Sequence, residues 1–192
     1  MVCIYLFFSR LHLAFNSFPA LDHFKLRLAV RMAQLSRVPN LESQRAAMRK
    51  LNFLVGEWVG EARVLLGPDA PKELVQSEEA QYKLDGLVLM IEGVGRAKAD
   101  GRPGLQALGV ISYDDGSQTY RMRAFNDGRF LETEVKLLEE REGMSWSFVF
   151  GEIRTRSTMQ INDRGEWTEF HEIAIGSQPP KRLMELVVRR QT

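Results

Sequence analysis

Glu169 and His171 stand two residues apart in the run Trp167-Thr168-Glu169-Phe170-His171. In an extended chain that spacing puts both side chains on one face. There a carboxylate and an imidazole can share a proton near neutral pH, anchor the polar end of a ligand or hold a metal weakly. The plainer reading is a histidine satisfied by its neighbour inside a packed interior. Glu78 and Tyr120 are the other candidates for acid–base work, since with Glu169 and His171 they would supply a base and an acid without a cofactor. The stronger catalytic signatures are absent: the chain has no Gly-x-Ser-x-Gly elbow, no phosphate loop ending in Lys, no His-Glu-x-x-His helix and no Cys/His cluster of metal-ligand spacing. No metal and no cofactor are predicted, and catalysis is the less favoured class.

Strands must position these residues. Before Trp58, the residues Leu41, Met48, Leu51 and Leu54 recur at helical spacing, with Asn40 placed as an N-cap after Pro39. After Gly56 the texture changes to short alternating runs, at 57–66, 73–84, 87–98, 105–113, 118–126, 129–139, 145–151, 154–162, 166–175 and 181–190. Asp85-Gly86, Asp127-Gly128, Glu142-Gly143, Asp163-Arg164-Gly165 and Gly176-Ser177-Gln178-Pro179-Pro180 separate them by hairpin chemistry. No connection is long enough for a parallel crossover. The expected fold is therefore all-β: an antiparallel up-and-down barrel of about ten strands, closed so that no edge is left open. An N-terminal helix precedes it, and residues 1–38 read as a helical or disordered leader or an upstream extension, with 39–192 the barrel domain.

Turn chemistry also predicts registers. A two-residue turn at Asp127-Gly128 sets Arg123 against Glu132 and Arg121 against Glu134 on an outer face, with Tyr120–Val135 and Met122–Thr133 inside. The same reasoning at Asp85-Gly86 pairs Tyr82 with Leu89, Glu78 with Gly93 and Gln76 with Gly95, so that glycines leave room in the interior opposite Glu78. Around Asp163-Arg164-Gly165 it pairs Ile161 with Trp167, Met159 with Glu169 and Ser157 with His171.

Composition narrows the class. At 44% apolar and 27% charged residues the chain can bury a core, which excludes disorder. A net charge of +1 gives no field that gathers polyanions, so no nucleic-acid partner is expected. The one cysteine, Cys3, allows no internal disulfide, and a cytoplasmic location is the default. The apolar start Met1–Phe8 is interrupted by Arg10 well short of the roughly 18 residues of a membrane span.

Phe53-Leu54-Val55-Gly56-Glu57-Trp58-Val59-Gly60-Glu61 resembles the first signature of the lipocalins, in which a Gly-x-Trp opens the first barrel strand. The resemblance implies a barrel whose end is plugged by Trp58 at the turn made by Gly56, with Arg189 or Arg190 packed over the indole. Within the calycins the chain looks most like a bacterial family known only as domain of unknown function 1579, over roughly residues 50–190, through Leu84-Asp85-Gly86-Leu87, Leu108-Gly109-Val110-Ile111-Ser112-Tyr113-Asp114 and Leu186-Val187-Val188-Arg189-Arg190. The resemblance carries fold, not activity. The related nitrobindins bind haem through a His near the C-terminus, whereas this chain has no His after His171. Fatty-acid-binding relatives clamp a carboxylate with Arg-x-Tyr on the last strand, which Arg189-Arg190-Gln191 does not reproduce.

The favoured reading is a binding module for a small apolar or amphipathic molecule. Its lumen takes aromatic walls from Trp58, Tyr82, Trp146, Phe148 and Trp167 and further lining from Tyr120, Met122 and Ile173, with Glu78, Glu169 and His171 as polar groups. A cofactor-free acid–base enzyme and a ligand-free interaction barrel, monomeric or dimeric, are the alternatives, the last resting on Val88, Met90 and Val94 as an outer apolar set.

Overall fold

A computed structural model describes residues 38–65, 71–126 and 128–191. The leader expected over 1–38 lies almost wholly outside these residues, as does Asp127. Helix α1, Leu41–Met48, runs into a 3-10 turn, Arg49–Leu54. Ten strands follow: β1 Gly56–Val64, β2 Lys72–Lys83, β3 Val88–Ala97, β4 Pro103–Asp114 and β5 Thr119–Asn126, then β6 Arg129–Leu137, β7 Gly143–Phe150, β8 Ile153–Ile161, β9 Trp167–Ile175 and β10 Lys181–Arg190. Every strand pairs with its sequence neighbours, and β1 pairs with β10, so the antiparallel sheet closes on itself. The expected up-and-down barrel is the observed one. The three hairpin registers also match the turn chemistry: Arg123–Glu132, Glu78–Gly93 and Ser157–His171 are cross-strand partners. Arg123 and Arg121 bond Glu132 and Glu134 at 3.1 and 3.2 Å on the exposed face.

One end of the barrel is closed by the segment before β1. Ala47, Met48, Leu51 and Leu54 are buried there. Leu41, counted in the same stripe from its spacing, is exposed, because the packed face begins only at Ala47. Trp58 and Trp167 meet edge to face at 5.7 Å beneath this cap, and the Trp58 indole N–H donates to the Leu54 carbonyl at 2.8 Å. The arginine over Trp58 is Arg190, whose guanidinium lies 4.1 Å from the ring centre and donates to the carbonyls of Phe53, at 2.9 Å, and Val55. Gly56 has φ +128°, and a Cβ there would stand 2.5 Å from Arg190, so both the backbone and the stacked cation require glycine. Arg189 instead bonds the buried carboxylate of Glu166 at 2.8 Å. Bonds from Asn162 and Arg189 and the charge of Arg164 hold Glu166 below its ordinary pKa.

The wall is not uniform. The β5–β6 ladder carries pairs from Tyr120–Val135 to Asn126–Arg129, but β6 and β7 pair only at Val135–Trp146, Lys136–Ser145 and Leu137–Met144. Beyond these a Thr133 hydroxyl donates to the Ser147 carbonyl at 3.0 Å across the seam. From there toward the end opposite the helix, the facing edges of β6 and β7 run unpaired. No helix among the described residues is long and apolar enough to cross a membrane.

Candidate functional site

The ten predicted lining residues share the inward parity of their strands and fall into two groups. Trp58, Trp167, Tyr82, Tyr120 and Met122 belong to the packed half under the helical cap. Tyr120 donates its hydroxyl to the Ala47 carbonyl at 2.8 Å, and Tyr82 donates to the Met48 carbonyl at 2.5 Å. Both phenols fasten the cap. Tyr120 is also pushed up to about 12, by burial first and then by Tyr113 and Tyr82. Tyr120 is thus unsuited to the acid role that its position had allowed, because its proton is committed to a structural bond.

Glu78, Trp146, Phe148, Glu169 and His171 line the other half. Trp146 and Phe148 are only partly buried although they point inward, so this half of the lumen is less tightly filled than the first. On β9 the predicted pair is formed: His171 Nε2 lies 2.9 Å from Glu169 Oε1. The other oxygen of Glu169 accepts from Trp167 Nε1 at 3.2 Å, and His171 Nδ1 meets the Ser157 hydroxyl at 2.7 Å. The edge of His171 also meets Trp146, with ring centres 6.0 Å apart. The histidine is satisfied on both nitrogens, as in the plainer of the two readings, yet it remains partly exposed.

Glu78 is 9% exposed and sits beside a fully buried Gln76. The Gln76 amide nitrogen donates to Glu78 Oε1 at 2.8 Å and lies 3.5 Å from the Ser77 carbonyl, which fixes its orientation and leaves Gln76 Oε1 buried with no partner. Burial, with the nearby charge of Glu169 adding to it, raises the Glu78 carboxyl to about 8, against the opposing effect of the Gln76 bond. Glu78 is therefore a neutral hydrogen-bond donor at neutral pH.

The glycines opposite do not leave empty room, contrary to the expectation from sequence. A Cβ on Gly93 would lie 2.7 Å from a Glu78 oxygen, and one on Gly95 2.5 Å from Gln76 Oε1. The missing side chains let Gln76 and Glu78 fold flat against β3. Two further inward polar atoms, Asn126 Oδ1 and Thr155 Oγ1, are buried and unpartnered. Sequence reasoning had placed Gln76 inside without counting it in the site, and it missed Asn126 and Thr155. Parity carried the signal for both, since Asn126 follows Ala124 by two and Thr155 pairs with Phe148. Among the described residues no cluster of three or more metal-ligating side chains occurs.

The outer apolar set is also relocated. Val88, Met90 and Val94 are half-buried by neighbouring side chains, while Phe125 and Phe130 are 43% and 67% exposed. Those two rings, with Val94 and Leu108, border an open outer groove of about 530 Å³.

No protein-family model and no curated protein sequence matches the chain. Among solved structures it is similar to the crystal structure of Rv2717c from M. tuberculosis, at a TM-score of 0.59 and 15% identity, over 76% of this chain and 98% of that one. At that identity the likeness shows a shared fold.

Proposed function

We propose that the protein is a calycin-like binding barrel that holds a small amphipathic molecule in the half of its lumen opposite the helical cap. The observation that carries this reading is the buried Gln76–Glu78 pair, a neutral carboxyl beside an amide oxygen with no partner. Unpartnered buried polar atoms cost about 1–3 kcal/mol each, so a core that keeps them gains from something that satisfies them. The half-buried rings of Trp146 and Phe148 supply apolar wall nearby, and the unpaired edges of β6 and β7 give a side route as well as an end route. Gly56, Trp58 and the stacked Arg190 support placing the barrel with the lipocalin-like proteins and the family of unknown function that its sequence resembles.

Of the three tryptophans, Trp58 and Trp167 are fully buried in the closed half. Trp146 alone can report on the open half. Octanol is expected to raise the melting temperature by several degrees at saturation and to shift the tryptophan emission. Trp146→Phe should abolish the emission change and keep the rise in melting temperature. If octanol, octanoate and octylamine all leave both signals unmoved, the binding reading is wrong.

The same carboxyls support a second reading, proton transfer on the bound molecule, with neutral Glu78 as acid and the Glu169–His171 pair as base.

A further inference from the structure

The open half of the lumen is acidic, and that bears on the charge of what enters. Glu78 and Glu169 face inward from β2 and β9, with His171 beside the latter. Between the rims no inward position of the described strands carries Arg or Lys. β1 contributes Trp58, Gly60 and Ala62 around Glu78, β3 contributes Ile91, Gly93 and Gly95, and β10 contributes Leu186 and Val188. Lys72, Arg129, Lys181 and Arg190 share the inward parity, but the first three stand exposed at the strand ends, where solvent screens them, and Arg190 is held at the cap end over Trp58 by the carbonyls of Phe53 and Val55.

The two carboxyls differ in what they have left to offer. Glu169 has spent one oxygen on His171 and the other on Trp167. Glu78 Oε1 accepts from Gln76, and among the described residues nothing bonds Oε2. Next to it lies the fully buried Gln76 with its own oxygen unpartnered. The Oε2 edge of Glu78, which carries the carboxyl proton at neutral pH, and the Gln76 oxygen are thus both left without a partner among the described residues, and they become two acceptors once that proton leaves.

We propose that the lumen takes a cationic amphipath, an alkyl- or arylammonium ion whose N–H groups are received by the free oxygens of Glu78 and Gln76 and whose apolar body lies along Trp146 and Phe148. This rests on the binding reading above and adds the charge of the ligand to it. A carboxylate head would meet the negative charge of Glu169 with no Arg or Lys between the rims to offset it. An alcohol brings one donor where an ammonium group brings three. The ammonium ion also favours the ionised form of Glu78, so binding at neutral pH expels that proton to the buffer.

Titration calorimetry of the full chain at pH 7 with octylamine, octanol and octanoate, in two buffers of different ionisation enthalpy, tests this. Octylamine is expected to bind at least about tenfold more tightly than the other two, the size of one charge-assisted hydrogen bond. It should release up to about one proton per ligand. Glu78→Gln should release none and bind octylamine no more tightly than octanol. The ranking and the proton count are read on the unaltered protein, so they stand if the variant folds poorly. Octanoate binding as tightly as octylamine, or octylamine binding without proton release, overturns the cation inference and leaves the binding reading intact. Silence from all three ligands overturns both.

Discussion

Glu78→Gln is expected to make the protein markedly more stable than the wild type at pH 9, while leaving the two nearly equal near pH 4. The buried carboxyl titrates at about 8 in the folded chain against an ordinary value of 4.5, with burial the main cause and the Glu169 charge the second. Between those values the folded state binds a proton that the unfolded state has lost. Stability from this group is thus complete below pH 4.5 and falls as pH rises through 8. At 1.36 kcal/mol per unit the loss is at most about 5 kcal/mol. Glutamine keeps the size of the side chain and an oxygen for the Gln76 amide, so the variant should lack this decline. The groups able to disturb the result are the charged ones nearest Glu78: Glu169 and His171 from β9, and Arg190 of β10 over Trp58, with uncharged residues from β1 and β3. Urea unfolding of both proteins from pH 4 to 9 isolates the effect as a difference. Parallel curves across that range would mean that Glu78 is ionised in the fold, and the neutral donor at the heart of the site would be gone.

Trp58→Ala is expected to cost about 3–5 kcal/mol, the usual range for emptying a fully buried tryptophan site. Trp58 is 1% exposed and joins the cap to the barrel through four contacts: the edge of Trp167, the Leu54 carbonyl, the cap side chains and the face that Arg190 covers. Arg190→Ala should cost less, about 1–2 kcal/mol, through the lost stacking and the two carbonyl bonds. Arg190→Lys should recover little of it, because an ammonium group lacks the planar fork. A Trp58→Ala loss below that of Arg190→Ala, measured by urea unfolding, would show that the indole does not organise the closed end.

Much of this architecture is legible in the residues, for local reasons. Asp-Gly turns and alternating runs constrain strand pairing tightly, so Glu78 opposite Gly93 and Ser157 opposite His171 follow from turn length alone. The Gly56-x-Trp58 start likewise marks the closed end, although only the fold distinguishes Arg190, over the ring, from Arg189, on Glu166. What parity cannot decide is how an inward side chain is used. Tyr82 and Tyr120 point into the barrel as expected, but their hydroxyls are taken by carbonyls of the cap, whose docking is set by tertiary packing. Gly93 and Gly95 read as empty space, yet the flat-lying Glu78 and Gln76 occupy it. The short β6–β7 ladder is equally invisible, because alternation marks a strand and its two faces but not how far it stays paired with its neighbour.

Native mass spectrometry of the protein, purified without denaturation from the cells that make it, tests the binding reading most directly. A reproducible adduct of one small molecule per chain, released on unfolding, is the predicted result, and a basic nitrogen in that molecule would agree with the acidic lumen. Recovery of a chemically altered molecule would favour proton-transfer catalysis over storage. A bare polypeptide mass in every preparation, which stays bare after incubation with octylamine, octanol or octanoate, would contradict a ligand-binding lumen.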